Sequence, residues 1–82
     1  MNNFEIIKTI LSDLSGAKRI SPEHQLQLDL GLDSLQMVEL LMMLEDNFDI
    51  VFDESDMNPY DLITVDHVIN LVGKYVKENQ DE

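Results

Sequence analysis

Ser34 is the residue of this sequence whose position is best suited to chemistry. Asp33 and Gln36 stand three apart in a D-x-x-Q pattern, a capping box that predicts a helix with Asp33 as its N-cap. The Ser34 hydroxyl is then not needed for capping, and it projects beside the positive end of the helix dipole, where a phosphate group is favoured. Gly31, just upstream, allows backbone angles that other residues resist.

Catalysis by Ser34 itself is not expected, and we assign no catalytic residues. A nucleophilic serine needs a base within hydrogen-bond reach and an oxyanion hole. The local string is G-L-D-S-L instead of G-x-S-x-G, and no strand precedes it. His24 and His67 are the two imidazoles of the chain, and neither has a sequence context that suggests orientation by a carboxylate.

The helix predicted from Asp33 to Phe48 has two apolar faces. One face is the predicted core face, formed by Met37, Leu40, Leu41, Leu44 and Phe48. The second face is the apolar stripe of Leu35, Val38 and Met42, flanked by Glu39 and Asp46. Because a small domain cannot easily bury both, we interpret the stripe as a partner surface, with core packing of Leu35 and Met42 as the alternative.

The motif around Ser34 resembles the signature of acyl carrier proteins. The resemblance rests on the run Asp29-Leu30-Gly31-Leu32-Asp33-Ser34-Leu35, followed by Val38-Glu39-Leu40 and Leu44-Glu45. It covers nearly the whole chain. It implies that a phosphopantetheinyl transferase attaches 4'-phosphopantetheine from coenzyme A to Ser34, beside Asp33 and Leu35, and that the thiol of the arm holds acyl groups as thioesters.

The resemblance also implies a recognition face and an acyl pocket. Acyl-loading and acyl-processing enzymes would present an apolar patch to Leu35, Val38 and Met42 and basic residues to Glu39, Glu45 and Asp46. The acyl chain would fold back among the helices, with Leu44, Phe52, Leu62 and Val68 as the pocket walls.

The sequence departs in three places from the pattern common in fatty-acid carriers. Gln36 stands where an acidic residue is usual, Phe52-Asp53 replaces an Ile-Pro pair, and Val68 replaces an alanine. Because Phe52 and Val68 would fill volume that an acyl chain otherwise takes, we hypothesise a specialised carrier for short or polar acyl groups. General fatty-acid synthesis is the close alternative, and a polyketide pathway fits the same motif.

Composition limits the classes of partner. The chain has 82 residues, which predicts one carrier domain over residues 1–82, and it has no cysteine, which excludes disulfides and thiolate metal sites. Its net charge of −12 argues against nucleic acid and anionic membranes, so partners should be basic. No apolar run approaches the roughly 20 residues of a membrane span, and no signal peptide is evident. We expect a cytoplasmic monomer.

A metal site is not indicated. The acids between Asp53 and Asp61 resemble a calcium loop only superficially, because the sixth position lacks glycine and the twelfth lacks glutamate.

The remaining pattern predicts an all-α fold, a small antiparallel bundle of three main helices plus one short helix. The first helix spans Asn3 to Ser15 and stops at Gly16, and Thr64 caps the last one. Between the first two helices we predict a long loop, pinned by Ile20, Leu26, Leu28 and Leu30. Residues 50–52 should form a buried connector, and Ser55 should cap a short helical turn that runs to about Pro59.

Two other functions remain open on the sequence. A peptidyl or aminoacyl carrier protein uses a related bundle and the same arm, although the strong acidity disfavours it. A helical interaction module that is never modified would share the acidic patch and the exposed stripe.

Overall fold

Three α-helices, which all pack against one another, form the frame of the molecule: α1 (Asn3–Ser15), α2 (Ser34–Phe48) and α3 (Val65–Gln80). The computed structural model describes residues 3–80, and within them every side chain except those of Pro59 and residues 77–80. Helical periodicity in each segment directs one apolar stripe inward. The fully buried core consists of Ile7, Leu11, Leu26, Met37, Leu40, Leu41, Leu44, Val65, Val68 and Val72. The predicted all-α fold class is confirmed.

The first helix ends as the sequence predicts. Gly16 has a φ of +78°, and its N–H donates to the Ser12 carbonyl oxygen at 2.8 Å. A residue with a side chain would be strained at this φ, so glycine is the natural C-terminal stop.

The long loop over residues 17–32 is fastened to the start of α3 by main-chain hydrogen bonds. The Leu26 N–H donates to the Ile63 carbonyl at 2.8 Å, and the Val65 N–H donates to the His24 carbonyl at 2.9 Å. Gln25 and Thr64 form an isolated antiparallel bridge there. These bonds give the loop backbone the partners that a loop packed against a core requires.

Three of the four predicted loop anchors are confirmed, since Ile20, Leu26 and Leu30 are buried. The prediction for Leu28 is wrong, because its side chain is 80% exposed. The N–H groups of residues 29 and 30 both donate to the Gln25 carbonyl, which closes a tight turn. Leu28 lies on the outer side of that turn, so closing the turn overrides its apolar character.

The connector after α2 is buried only in part. Ile50 and Phe52 are buried as predicted, whereas Val51 is 83% exposed. This alternation is typical of an extended segment, in which successive side chains lie on opposite sides.

The predicted short helix is resolved as two 3₁₀ turns, Glu54–Asp56 and Pro59–Asp61. The prediction of Ser55 as a cap is wrong, because the first turn starts one residue earlier and has Asp53 at its N-cap position.

The cap of α3 is confirmed, since Thr64 Oγ1 accepts a hydrogen bond from the His67 N–H at 3.3 Å. Over residues 3–80, none of the helices is long and apolar enough to cross a membrane.

Candidate functional site

The start of α2 carries the predicted capping box. Asp33 Oδ1 accepts a hydrogen bond from the Gln36 N–H at 2.8 Å, and Gln36 Oε1 accepts one from the Asp33 N–H at 3.1 Å. The Asp33 backbone is extended, as an N-cap requires. Ser34 is therefore the first residue of the helix, and it is exposed.

At this helix end, the main-chain N–H groups of Ser34 and Leu35 remain without acceptors in the part of the chain that the structure describes. The first four N–H groups of an α-helix lack intrahelical acceptors, and the capping box satisfies those of Asp33 and Gln36. The N–H groups of Ser34 and Leu35, and the Ser34 hydroxyl, have no partner within residues 3–80. Two free donors beside a free hydroxyl, at the positive end of a helix dipole, suit a phosphodiester on that hydroxyl.

Gln36 makes a third contact that the sequence did not reveal. Its Nε2 donates to the Leu14 carbonyl oxygen at 2.9 Å, which joins the start of α2 to the last turn of α1. The two residues are 22 positions apart, so no local pattern signals the bond. A glutamate at this position would accept the Asp33 N–H but would have no proton to donate to a carbonyl.

The loop that leads into Ser34 is fixed by its own turns. Asp29 Oδ2 accepts a hydrogen bond from the Gln25 N–H at 2.7 Å. Gly31 has a φ of +73°, and its N–H donates to the Gln27 carbonyl at 3.1 Å. The neighbouring Leu30 and Leu32 are buried. The run before Ser34 is thus anchored by alternate leucines, with glycine where the chain must adopt a left-handed conformation.

The apolar stripe beside Ser34 is exposed. Leu35, Val38 and Met42 are 70%, 42% and 57% exposed, respectively, which agrees with the prediction that the core cannot bury both faces of α2. Glu39 and Asp46 are exposed beside the stripe. A shallow groove of about 240 Å³ includes Met42 in its lining, together with Leu14, Glu39, Met43 and Asp46. The surface next to Ser34 therefore combines apolar side chains with negative charge.

Glu45 differs from the other two acids assigned to this surface. It is half-buried, and its Oε2 accepts a hydrogen bond from the Phe52 N–H at 2.8 Å. Its main-chain oxygen also accepts the N–H groups of Asp49 and Ile50, where the helix ends. The Glu45 side chain therefore fixes the connector after α2, a role that its position in the sequence did not indicate.

Both histidines take part in local turns. His24 Nδ1 accepts a hydrogen bond from the Ser21 N–H at 3.1 Å, and His67 Nδ1 accepts one from the Ile63 N–H at 3.0 Å. Neither is bonded to Ser34, so the structure supplies no imidazole contact to its hydroxyl. Among residues 3–80, no group of three or more histidine, cysteine or acidic side chains is arranged to hold a metal ion.

Residues 5–72 match the family described as "Phosphopantetheine attachment site", a span that includes Ser34 and the exposed stripe. The chain belongs to the acyl carrier protein family. It is 38% identical over 76 residues to the acyl carrier protein of Karelsulcia muelleri, covering 90% of this chain and 89% of that protein. It is 39% identical over 72 residues to that of Desulforapulum autotrophicum, covering 85% and 91%, respectively. It is 36% identical over 77 residues to that of Clostridium acetobutylicum, covering 92% and 97%.

Membership of the acyl carrier protein family implies a 4'-phosphopantetheine prosthetic group and contacts with acyl-processing enzymes. The start of α2 fits that group, because it offers a hydroxyl and two N–H donors that have no partner among the described residues. The relatives carry the same general name, so they do not separate fatty-acid from polyketide pathways.

The four residues assigned to an acyl pocket in this acyl carrier protein all lie in the core. Leu44, Phe52, Leu62 and Val68 are buried and belong to one apolar cluster. They come from α2, from the connector, from the segment before α3 and from α3 itself. Their burial brings them into one core, and their role toward an acyl chain stays a prediction.

Tyr75 of α3 holds the connector against this core. Its ring packs edge-on against the Phe52 ring, with centroids 5.0 Å apart and planes at 82°. Its hydroxyl donates to Asp56 Oδ2 at 2.5 Å and accepts a hydrogen bond from the Asp53 N–H at 2.7 Å. Lys74 Nζ lies 3.3 Å from the same Asp56 oxygen. No local pattern signals this cluster, because Tyr75 lies 22 positions from Asp53 and 19 from Asp56.

The hydrogen bond between Tyr75 and Asp56 shifts the pKa values of both side chains. The Tyr75 hydroxyl, together with Lys74, lowers the pKa of the Asp56 carboxyl below its ordinary value of 3.8. The Asp56 carboxylate in turn raises the pKa of the Tyr75 hydroxyl above 10.0, with a further contribution from burial. The bond is therefore favoured when Asp56 is ionised and Tyr75 is protonated.

Proposed function

We propose that Ser34 is the attachment point of 4'-phosphopantetheine in this acyl carrier protein. The observation that carries the proposal is the exposed Ser34 hydroxyl at the first position of α2, which has no partner among the described residues while Asp33 takes over the capping. A separate phosphopantetheinyl transferase would use coenzyme A. The Ser34 oxygen would form a bond to the phosphorus that bears pantetheine, and its proton would pass to a base of the transferase. The P–O bond of the coenzyme A pyrophosphate would break, and adenosine 3',5'-bisphosphate would leave.

The chain contributes no catalytic group of its own. When bound, the arm supplies a thiol that holds acyl groups as thioesters for chemistry on other proteins. The residues around Ser34 fix its position. Gln36 is hydrogen-bonded to α1, and the turns over residues 25–31 fix the loop that leads into Ser34. The Ser34 and Leu35 N–H groups are available to a phosphodiester oxygen.

Partner enzymes would dock on the exposed stripe of Leu35, Val38 and Met42. Basic residues on those enzymes would face Glu39 and Asp46, with Glu45 contributing charge from its half-buried position. Opposite charges speed the encounter without requiring a tight complex, which suits a carrier that must leave one enzyme for the next. The flexible Met42 side chain can adapt to several partner surfaces.

The cargo would be a short or polar acyl group. Phe52 and Val68 fill the core beside Leu44 and Leu62, and cores have little spare volume. A dedicated pathway is therefore favoured over general fatty-acid synthesis, and a polyketide pathway remains compatible with the same site. The cytoplasmic location expected from the sequence stays a prediction.

Attachment at Ser34 can be tested directly. The purified chain is incubated with coenzyme A and a broad-specificity phosphopantetheinyl transferase, and its intact mass is measured. We expect one phosphopantetheine per chain, none on Ser34→Ala, and normal addition on the matched control Ser55→Ala, since Ser55 is also exposed. A wild-type chain that gains no mass would refute the proposal and favour an unmodified interaction module. Loading of an amino acid in place of acyl groups by its native partner enzymes would favour a peptidyl or aminoacyl carrier.

A further inference from the structure

The connector residue Phe52 is held in the core by side chains on both sides of it. Its own N–H donates to Glu45 Oε2 at 2.8 Å, and the next N–H, that of Asp53, donates to the Tyr75 hydroxyl at 2.7 Å. Two consecutive peptide groups are thus fixed by side chains of two different helices. Rotation of this segment away from the core would require both hydrogen bonds to break.

Tyr75 adds two further contacts to this arrangement. Its ring lies against the Phe52 ring at 5.0 Å, and its hydroxyl donates to Asp56 Oδ2 at 2.5 Å. The second contact fixes the first 3₁₀ turn, three residues beyond Asp53. The Tyr75 side chain therefore contacts Phe52, Asp53 and Asp56, and we name these three contacts the Phe52 clamp.

We propose that Tyr75, through the Phe52 clamp, determines the length of acyl chain that this carrier can bury. The inference rests on the proposed function, because it requires an acyl arm on Ser34 and a pocket beside Phe52. An alkyl chain that enters the core gains burial only if it finds volume, and Phe52 occupies that volume. The alkyl chain must therefore displace Phe52, and the Phe52 clamp opposes the displacement. Tyr75 acts on the acyl group through Phe52, so it is a positioning residue.

The decisive variant is Tyr75→Phe, which keeps the ring against Phe52 but removes both hydrogen bonds of the hydroxyl. The Asp53 N–H is exposed and can bond to water instead, so the fold should persist. Tyr60→Phe is the matched control. It makes the same chemical change at a side chain that is 73% exposed, whose hydroxyl has no partner within residues 3–80. Asp56→Ala is a second, milder variant that removes the acceptor of the Tyr75 hydroxyl.

Each protein is loaded from hexanoyl-, octanoyl- and decanoyl-coenzyme A by the transferase, and loading is verified by intact mass. The melting temperature of each acyl form is then compared with that of the unacylated arm-bearing form of the same variant. For wild type and Tyr60→Phe we expect a gain that does not grow with chain length. For Tyr75→Phe we expect the decanoyl gain to exceed the hexanoyl gain by at least about 4 °C, since each buried methylene adds stability. For Asp56→Ala, the difference between the decanoyl and hexanoyl gains in melting temperature should lie between those of wild type and Tyr75→Phe.

A purely structural role for Tyr75 would lower every melting temperature and leave the dependence on chain length unchanged, which would overturn the inference. A wild-type gain that already rises steadily to decanoyl would overturn it as well, because no restriction would then exist. Should Tyr75→Phe fail to fold, the same criterion applies to Asp56→Ala. A wild-type protein that cannot be loaded would overturn the proposed function together with this inference. Normal loading, with the same dependence of melting temperature on acyl-chain length in wild type and Tyr75→Phe, would overturn this inference alone.

Discussion

The substitution Gln36→Glu separates two physical effects at the start of α2 because they have opposite signs. A glutamate keeps half of the capping box, since it can accept the Asp33 N–H as Gln36 Oε1 does now at 3.1 Å. Its negative charge near a helix N-terminus would stabilise by about 0.3–1 kcal/mol. It also loses the donor that Gln36 Nε2 provides to the Leu14 carbonyl at 2.9 Å in a part-buried position.

Leaving the part-buried Leu14 carbonyl without that donor costs about 1–3 kcal/mol. The carboxylate would also face a carbonyl oxygen, an unfavourable pairing of two acceptors that adds to the cost. The net result should be a destabilisation of about 1 kcal/mol, equivalent to roughly 4–8 °C in melting temperature for a domain of this size. If the helix dipole alone decided the outcome, the same substitution would stabilise.

The assay is thermal unfolding of wild type and Gln36→Glu at pH 7 and again near pH 4. Protonation of the new glutamate, whose ordinary pKa is about 4.3, restores a donor for the Leu14 carbonyl, so the difference between the proteins should shrink at the lower pH. Gln36→Met serves as a control, because it fills similar space without either hydrogen bond. A Gln36→Glu protein that is as stable as wild type or more stable at pH 7 would refute the role assigned to the Leu14 contact.

Three further predictions follow from the same geometry. Met42→Glu should leave the unfolding free energy within about 0.5 kcal/mol of wild type, because Met42 is exposed. Acyl transfer to partner enzymes should fall, and unfolding of the variant would show instead that Met42 is a core residue. Asp33→Ala should cost about 1 kcal/mol in chemical denaturation, since the Gln36 N–H loses its acceptor, and no change would contradict the N-cap assignment. The stability that the Asp56–Tyr75 bond contributes should be lost as the pH falls below 3.8, through the lowered pKa of Asp56, and lost again as the pH rises above 10.0, through the raised pKa of Tyr75. Comparison of wild type with Tyr75→Phe across that range tests this, and a pH-independent difference would contradict it.

The features that local periodicity controls could be predicted from the sequence. The capping box depends on residues three apart, and the exposed face of α2 follows from helical geometry, so Asp33, Gln36 and the Leu35–Val38–Met42 stripe were all placed correctly. The bounds of α1 were confirmed for the same reason.

The contacts that hold these parts together could not be predicted, because they join residues far apart in the chain. Gln36 reaches Leu14 across 22 positions, and Tyr75 reaches Asp56 across 19. The error at Leu28 has a related cause: a closed turn determines where that side chain lies, and an apolar residue follows its backbone. Burial of a single loop residue is thus decided by hydrogen bonds that its own type does not reveal.

These long-range contacts explain how Ser34, whose hydroxyl has no hydrogen-bond partner within residues 3–80, can occupy a defined position. The residue two places beyond Ser34 is bonded to α1, and the loop before it is bonded to the start of α3 through Leu26 and Val65. These hydrogen bonds constrain the residues on either side of Ser34, while the Ser34 side chain is exposed. The proposed transferase would need the hydroxyl exposed, and the proposed partner enzymes would need the stripe beside it in a constant orientation. Fixing the neighbours of Ser34 and leaving its side chain free meets both requirements at once.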